Sequence, residues 1–161
     1  TADDVVGKTT WDGLDHLEGE TVMCLADGVE MGEFEVSGGE IVLPRAAKRV
    51  LIGLFFSPLV ELLPPEIQSA SGSVQGDAMS VNEVFMRVVN TAGATVNGAE
   101  AIPGRINGPG QLDYPPTLFS GDEKITGLGW SNGQPSTVIE QAHPFPFHLL
   151  AVIRNLTING G

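Results

Sequence analysis

The sequence predicts an all-β protein, made of small antiparallel β-sandwich or barrel modules with long loops. Three observations carry that expectation. Apolar residues almost never line up at i, i+3, i+4 and i+7, so no amphipathic helix is expected. Short apolar runs rich in β-branched residues recur instead. Gly, Pro and Asp-Gly or Asn-Gly pairs break these runs at intervals of roughly 8–12 residues, the rhythm of a sandwich or barrel.

The elements follow in order. Glu20 to Ala26 alternates Val22, Cys24 and Ala26 with Thr21, Met23 and Leu25, which predicts a strand buried on both faces or packed under a loop. Asp27-Gly28 is a hairpin-turn pair, because both residues tolerate positive φ. Phe34 and Val36 alternate with Glu33 and Glu35 in a half-buried strand. Ser37-Gly38-Gly39 then turns the chain into a strand at Ile41, Val42 and Leu43. A separate strand is expected at Val50 to Leu54, stopped by Pro58 and finally by Pro64-Pro65. These pieces make a first module over residues 1–65.

A second module is expected over 66–161, after a Ser/Gly-rich connection at 66–80. Val81 to Val89 is its longest strand, with Val84, Met86 and Val88 on one face and Arg87 between Phe85 and Val89 on the other. Residues 92–117 are rich in Gly, Asn and Pro and lack periodicity, which predicts a long arm of the kind used at interfaces. Ile125 to Trp130, Thr137 to Gln141 and Leu149 to Ile158 supply three more strands, the first two joined by a turn at Asn132-Gly133. The residues expected to fix the fold are Asp27, Gly28, Gly38, Gly39, Pro64 and Pro65 at turns, with Trp11 and Trp130 as core plugs.

Composition narrows the function. The chain has 161 residues, 42% of them hydrophobic, enough for a real core. Eight Lys and Arg face twenty Asp and Glu, a net charge of −12. That balance excludes a sequence-reading nucleic-acid binder, which needs a basic patch to displace counterions from phosphate. Residues 1–40 hold eleven acids against Lys8 alone, a net of −10. No apolar run approaches the ~20 residues of a membrane-spanning helix, so no membrane insertion is expected. Cys24 is the single cysteine, which excludes an intrachain disulfide. The chain opens on Thr1 without an initiator Met or a signal-like segment and reads as a piece of a longer protein or a processed form.

No reactive constellation stands out. His143 and His148 flank Pro144-Phe145-Pro146-Phe147, but zinc-ligand spacing is absent. Asp12, Asp15, Glu18 and Glu20 lack the alternating Asp loop that converges oxygens on calcium. No nucleophile elbow or phosphate-cradling loop occurs. Asn155-Leu156-Thr157 is a formal glycosylation sequon. No catalytic residue, cofactor or metal ligand is assigned, and the chain is read as a non-enzyme.

The string from Gly13 through Leu14-Asp15-His16-Leu17-Glu18-Gly19-Glu20 to Leu25-Ala26-Asp27-Gly28 resembles a segment of bacteriophage tail proteins. The family is that of nozzle (tail tubular protein B type) and tail-stabilisation proteins of short-tailed phages. Val36 to Gly39, Ile41 to Pro44, Leu62 to Pro65, Pro116 to Asp122, Ile139 to Gln141 and Pro144 to Ile153 continue the likeness in order. It departs at residues 76–83, which carry Asp77 and Glu83 and no base, where the family is more basic. The resemblance implies a virion structural protein, assembled in the host cytoplasm, in contact with other tail proteins. It further implies self-association into a ring, expected to be hexameric, around the DNA exit channel. An acidic wall would suit such a channel, since it does not grip phosphate. A carbohydrate-binding β-sandwich module of a receptor-binding tail protein is the alternative, motivated by Trp11, Trp130 and the surface acids.

Overall fold

The computed structural model describes residues 2–64, 68–69, 72–73, 78–104, 114–128, 130–131 and 135–159. Strands dominate them, and every strand pairing is antiparallel. The protein is all-β. Among the described residues no helix is long and apolar enough to cross a membrane. Contacts divide the chain into two units, Thr1–Ser57 with Arg105–Thr117, and Pro58–Gly104 with Leu118–Gly161.

The first unit is one sheet of β1 (Ala2–Trp11), β2 (Thr21–Ala26), β3 (Val29–Glu35) and β4 (Ile41–Gly53), in the order β1-β4-β2-β3. β2 buries Val22, Cys24 and Ala26, and its other face is half-buried rather than covered. These three side chains pack with Trp11, Val36, Ile41, Leu43 and Val50 in one core. The strands expected at 41–43 and 50–54 are one strand, β4. Its ladder with β1 slips between Ala47 and Val42, and Pro44 lies in the slipped stretch. A proline that can donate no ladder hydrogen bond fits there, so the chain stays extended through a residue that otherwise ends strands. β1 itself was not expected. Left-handed Gly7 (φ 82) breaks its alternation, which removes the period-two signal.

The second unit starts with β5 (Leu59–Leu62), followed by β6 (Gln68–Ser69), β7 (Gly72–Ser73) and β8 (Ala78–Thr91). Next come β9 (Ala94–Val96), β10 (Ala99–Ile102), β11 (Phe119–Thr126), β12 (Trp130–Ser131), β13 (Thr137–Gln141) and β14 (Leu149–Asn159). One sheet runs β10-β9-β13-β5; in the other, β8 is central, with β11 and β12 beside it and β14 also paired to it. Met86 and Val88 of β8 share a buried cluster with Ala94, Val96, Ile102 and Ile139 of the opposing sheet, so the unit is a β-sandwich.

Two segments differ from expectation. Leu59–Leu62, placed in the first module with no strand of its own, forms β5 and pairs with β13 of the second unit. Residues 94–102 of the expected 92–117 arm are regular, since β9 and β10 form a hairpin. Asn97 (φ 49) and Gly98 (φ 78) are its left-handed turn pair. Strands of three and four residues are too short to show periodicity, and only the Asn-Gly dipeptide marked them. Residues 105–113, Pro65 and the Asn132-Gly133 turn lie outside the described residues.

Candidate functional site

The polar side chains with the most definite geometry cluster at the turns of the first unit. Asp15–Leu17 forms one 3-10 turn after β1. It docks on the tight Ser37–Glu40 turn, with the Leu14 N–H donating to the Gly39 carbonyl at 2.9 Å. The Glu18 carboxylate then accepts the N–H of Gly38 at 2.9 Å and of Gly39 at 2.7 Å. These two amide donors hold Glu18 below the usual carboxylate range, Gly39 contributing most. Gly38 and Gly39 have φ 65 and 72, the left-handed pair such a turn demands.

Asp27 is a second clamp of the same design. It sits at φ 53, beside Gly28 at φ 82, in the turn between β2 and β3. Its carboxylate accepts the backbone N–H of Lys48 at 3.1 Å and of Arg49 at 2.9 Å. Its own N–H donates to the Arg49 carbonyl at 2.8 Å. The turn residue is thus fastened to the middle of β4. A side chain on Gly28 would meet Pro115 Cβ at 2.9 Å, so the glycine is required twice over.

Trp11 is only 2% exposed, and its indole N–H donates to the Lys8 carbonyl at 3.2 Å. The Lys8 ammonium lies 4.7 Å from the ring centroid and 3.7 Å from the Asp12 carboxylate. Beside it is a concavity of about 280 Å³ lined by Trp11, Asp12, Leu14, His16, Val50 and Ile52. Asp12, Asp15 and Glu18, considered above as hard-cation ligands, do not converge. Asp12 pairs with Lys8, Asp15 packs against Gly39, and Glu18 caps the turn. Among the described residues no group of three His, Cys, Asp or Glu could hold a metal ion.

The second unit adds a buried polar knot that the sequence did not flag. Gln141 is 2% exposed, and its Nε2 donates to the carbonyls of Ala92 at 2.6 Å and Phe145 at 3.0 Å. The crossover from β13 to β14 is also tied by the Ala92 N–H to the Pro146 carbonyl and the His148 N–H to Thr91 Oγ1. His148 Nδ1 lies 3.1 Å from the Val89 carbonyl, and the His143 ring packs on Phe145 with centroids 5.8 Å apart. Both histidines serve the crossover.

On the outer face of β8, Arg87 makes a two-pronged pair with Asp122 at 2.6 and 2.7 Å. That pairing raises the arginine and lowers the carboxylate. Glu83 binds Lys124 at 2.5 Å and Asn155 at 2.9 Å, so the sequon asparagine is already engaged. Lys124, then Asn155, holds Glu83 below its ordinary value. Cys24 is buried, and burial pushes its thiol up to about 11, which makes it a poor nucleophile.

Of the fold-fixing residues expected from sequence, Asp27, Gly28, Gly38 and Gly39 stand at clamped turns, and Trp11 is in the core. Pro64 is exposed after β5, and the Trp130 backbone lies in β12. The Trp130 side chain lies outside the described residues. No family model matches the chain, and no curated protein matches it at a significant level.

Proposed function

We propose that this chain is a structural module of a bacteriophage tail, of the nozzle or tail-stabilisation class, which assembles with copies of itself into a ring. One observation carries the reading. The Gly13–Gly28 string that bears the resemblance is the segment whose Glu18 and Asp27 side chains lock two turns to the sheet. These two carboxylates hold backbone rather than aim at a shared point. A signature written in turn clamps supports an architectural role, because such residues set shape and contact no ligand.

Charge supports the setting. A net of −12 disfavours adhesion to duplex DNA, as a conduit for a genome requires. The carbohydrate-binding alternative gains nothing from Trp11, whose ring is buried and whose N–H is engaged, where a sugar platform needs an exposed face. Native mass spectrometry of the chain tests the proposal. Ring-sized multiples of 16.9 kDa are expected, with imaging of the particles to show a central channel. A 16.9 kDa species alone at every concentration overturns it.

A further inference from the structure

Six strands of four or more residues stand at the edge of a sheet among the described residues: β1, β3, β5, β10, β11 and β14. Open edges invite another chain to add a strand, and proteins guard them with charge. Five of the six are acidic. β3 carries Glu30, Glu33 and Glu35, while β1, β5, β10 and β11 each carry one more acid than base. β14 is the exception, with Arg154 and no acid along eleven residues. On that strand Leu150 is 61% exposed and Ile153 is 55% exposed. The longest of these edges is therefore the one without an acidic guard.

We infer that the outer edge of β14 is the place where a second copy of this chain adds a strand. The inference rests on the self-association proposed above and names its contact. In a closed ring the contact is heterologous, so β14 of one copy meets a different edge of the next. The other five are acidic and repel one another, whereas β14, whose one charge is Arg154 bound to the Leu63 carbonyl at 2.9 Å, does not repel them. Main-chain hydrogen bonds supply the adhesion, and covering Leu150 and Ile153 removes apolar surface from water.

Sedimentation equilibrium of the wild-type chain, of Leu150→Glu/Ile153→Glu and of Leu54→Glu tests this. Leu54 is 59% exposed, lies just after β4 on no strand edge, and serves as the control. The double variant is expected to weaken association at least tenfold, with Leu54→Glu close to wild type. Amide hydrogen exchange on the unmutated chain is the second readout. The amides of 149–157 that point away from β8 should exchange more slowly as concentration rises, while those in the β8 ladder stay protected throughout. Association unchanged in the double variant, or exchange of the outward amides that does not depend on concentration, overturns the β14 assignment while leaving self-association standing. A wild-type chain that stays monomeric overturns both.

Discussion

The backbone N–H of Gly39 donates to the Glu18 carboxylate at 2.7 Å, across twenty-one positions of sequence. With the matching bond from Gly38 it joins the turn after β1 to the tight turn before β4. A carboxylate offers two acceptors to two donors, whereas an amide offers one acceptor and turns its NH₂ toward the second donor. Glu18→Gln should therefore lower the melting temperature by a few degrees, and thermal unfolding measures it. The sign with pH is fixed. A carboxylate held low in the folded state stabilises above its ordinary range, and that gain is lost as pH falls through the folded value. The gap between wild type and Glu18→Gln should close in acid. A gap constant from neutral pH to pH ~3 would contradict the clamp.

Gly38 and Gly39 differ in what an added methyl would meet. At Gly38 there is open space, so Gly38→Ala carries only the left-handed strain of roughly 1 kcal/mol. At Gly39 the new Cβ would lie 2.6 Å from Asp15 Oδ1. Gly39→Ala should cost more, about 2–3 kcal/mol, unless Asp15 swings away. Asp15→Ala in the Gly39→Ala background should then recover part of the loss. Denaturant unfolding of the four proteins completes the cycle.

Replacing Asp27 separates the turn from its fastening. Asp27→Asn keeps a residue tolerant of the left-handed region and one acceptor for the Lys48 and Arg49 amides. Asp27→Ala loses both properties and should cost about 1–2 kcal/mol, with the asparagine variant nearer to wild type. An Asp27→Ala variant as stable as wild type in urea would show that the clamp contributes nothing.

Legibility followed distance along the chain. Asp27-Gly28 and Gly38-Gly39 were readable as turns because the dipeptide itself carries the backbone preference. The buried face of β8 was readable because Val84, Met86 and Val88 alternate over a long strand. Pairing was not readable. β5 and β13 meet through a ladder whose two strands lie far apart in sequence, and nothing in Leu59–Leu62 names Thr137–Gln141 as its partner. Glu18 was visible only as one acid among twenty, and Gln141 as one amide, since a clamp becomes specific only when its distant donor or acceptor is known.

Cys24 gives a readout of global opening. Its thiol is buried in the first unit's core, and burial raises it to about 11. A thiol reagent should label it only as fast as the unit unfolds, and at once in denaturant. The raised value also fixes an alkaline effect. The folded state favours the neutral thiol, so this contribution is complete below the unfolded value and is lost as pH rises from there toward 11. Cys24→Ala should flatten the decline in stability above pH ~9, measured by urea unfolding. An identical decline in both proteins would assign it to other groups.

Gln141 ties the end of β8 to the β13–β14 crossover. Its NH₂ group donates to two carbonyls, Ala92 between β8 and β9 and Phe145 within the crossover. Gln141→Leu fills similar volume but leaves both carbonyls without that donor, which should cost about 2–4 kcal/mol. Gln141→Glu is the sharper test. As a carboxylate it would aim negative charge at two carbonyl oxygens, and only its protonated form can donate to one of them. Burial and those oxygens should push its pKa up, so the variant is least stable at neutral pH and recovers as pH falls through that raised value. Urea unfolding between pH 4 and 8 measures this. A Gln141→Glu variant as stable as wild type at neutral pH would mean that the crossover is held by its backbone hydrogen bonds alone.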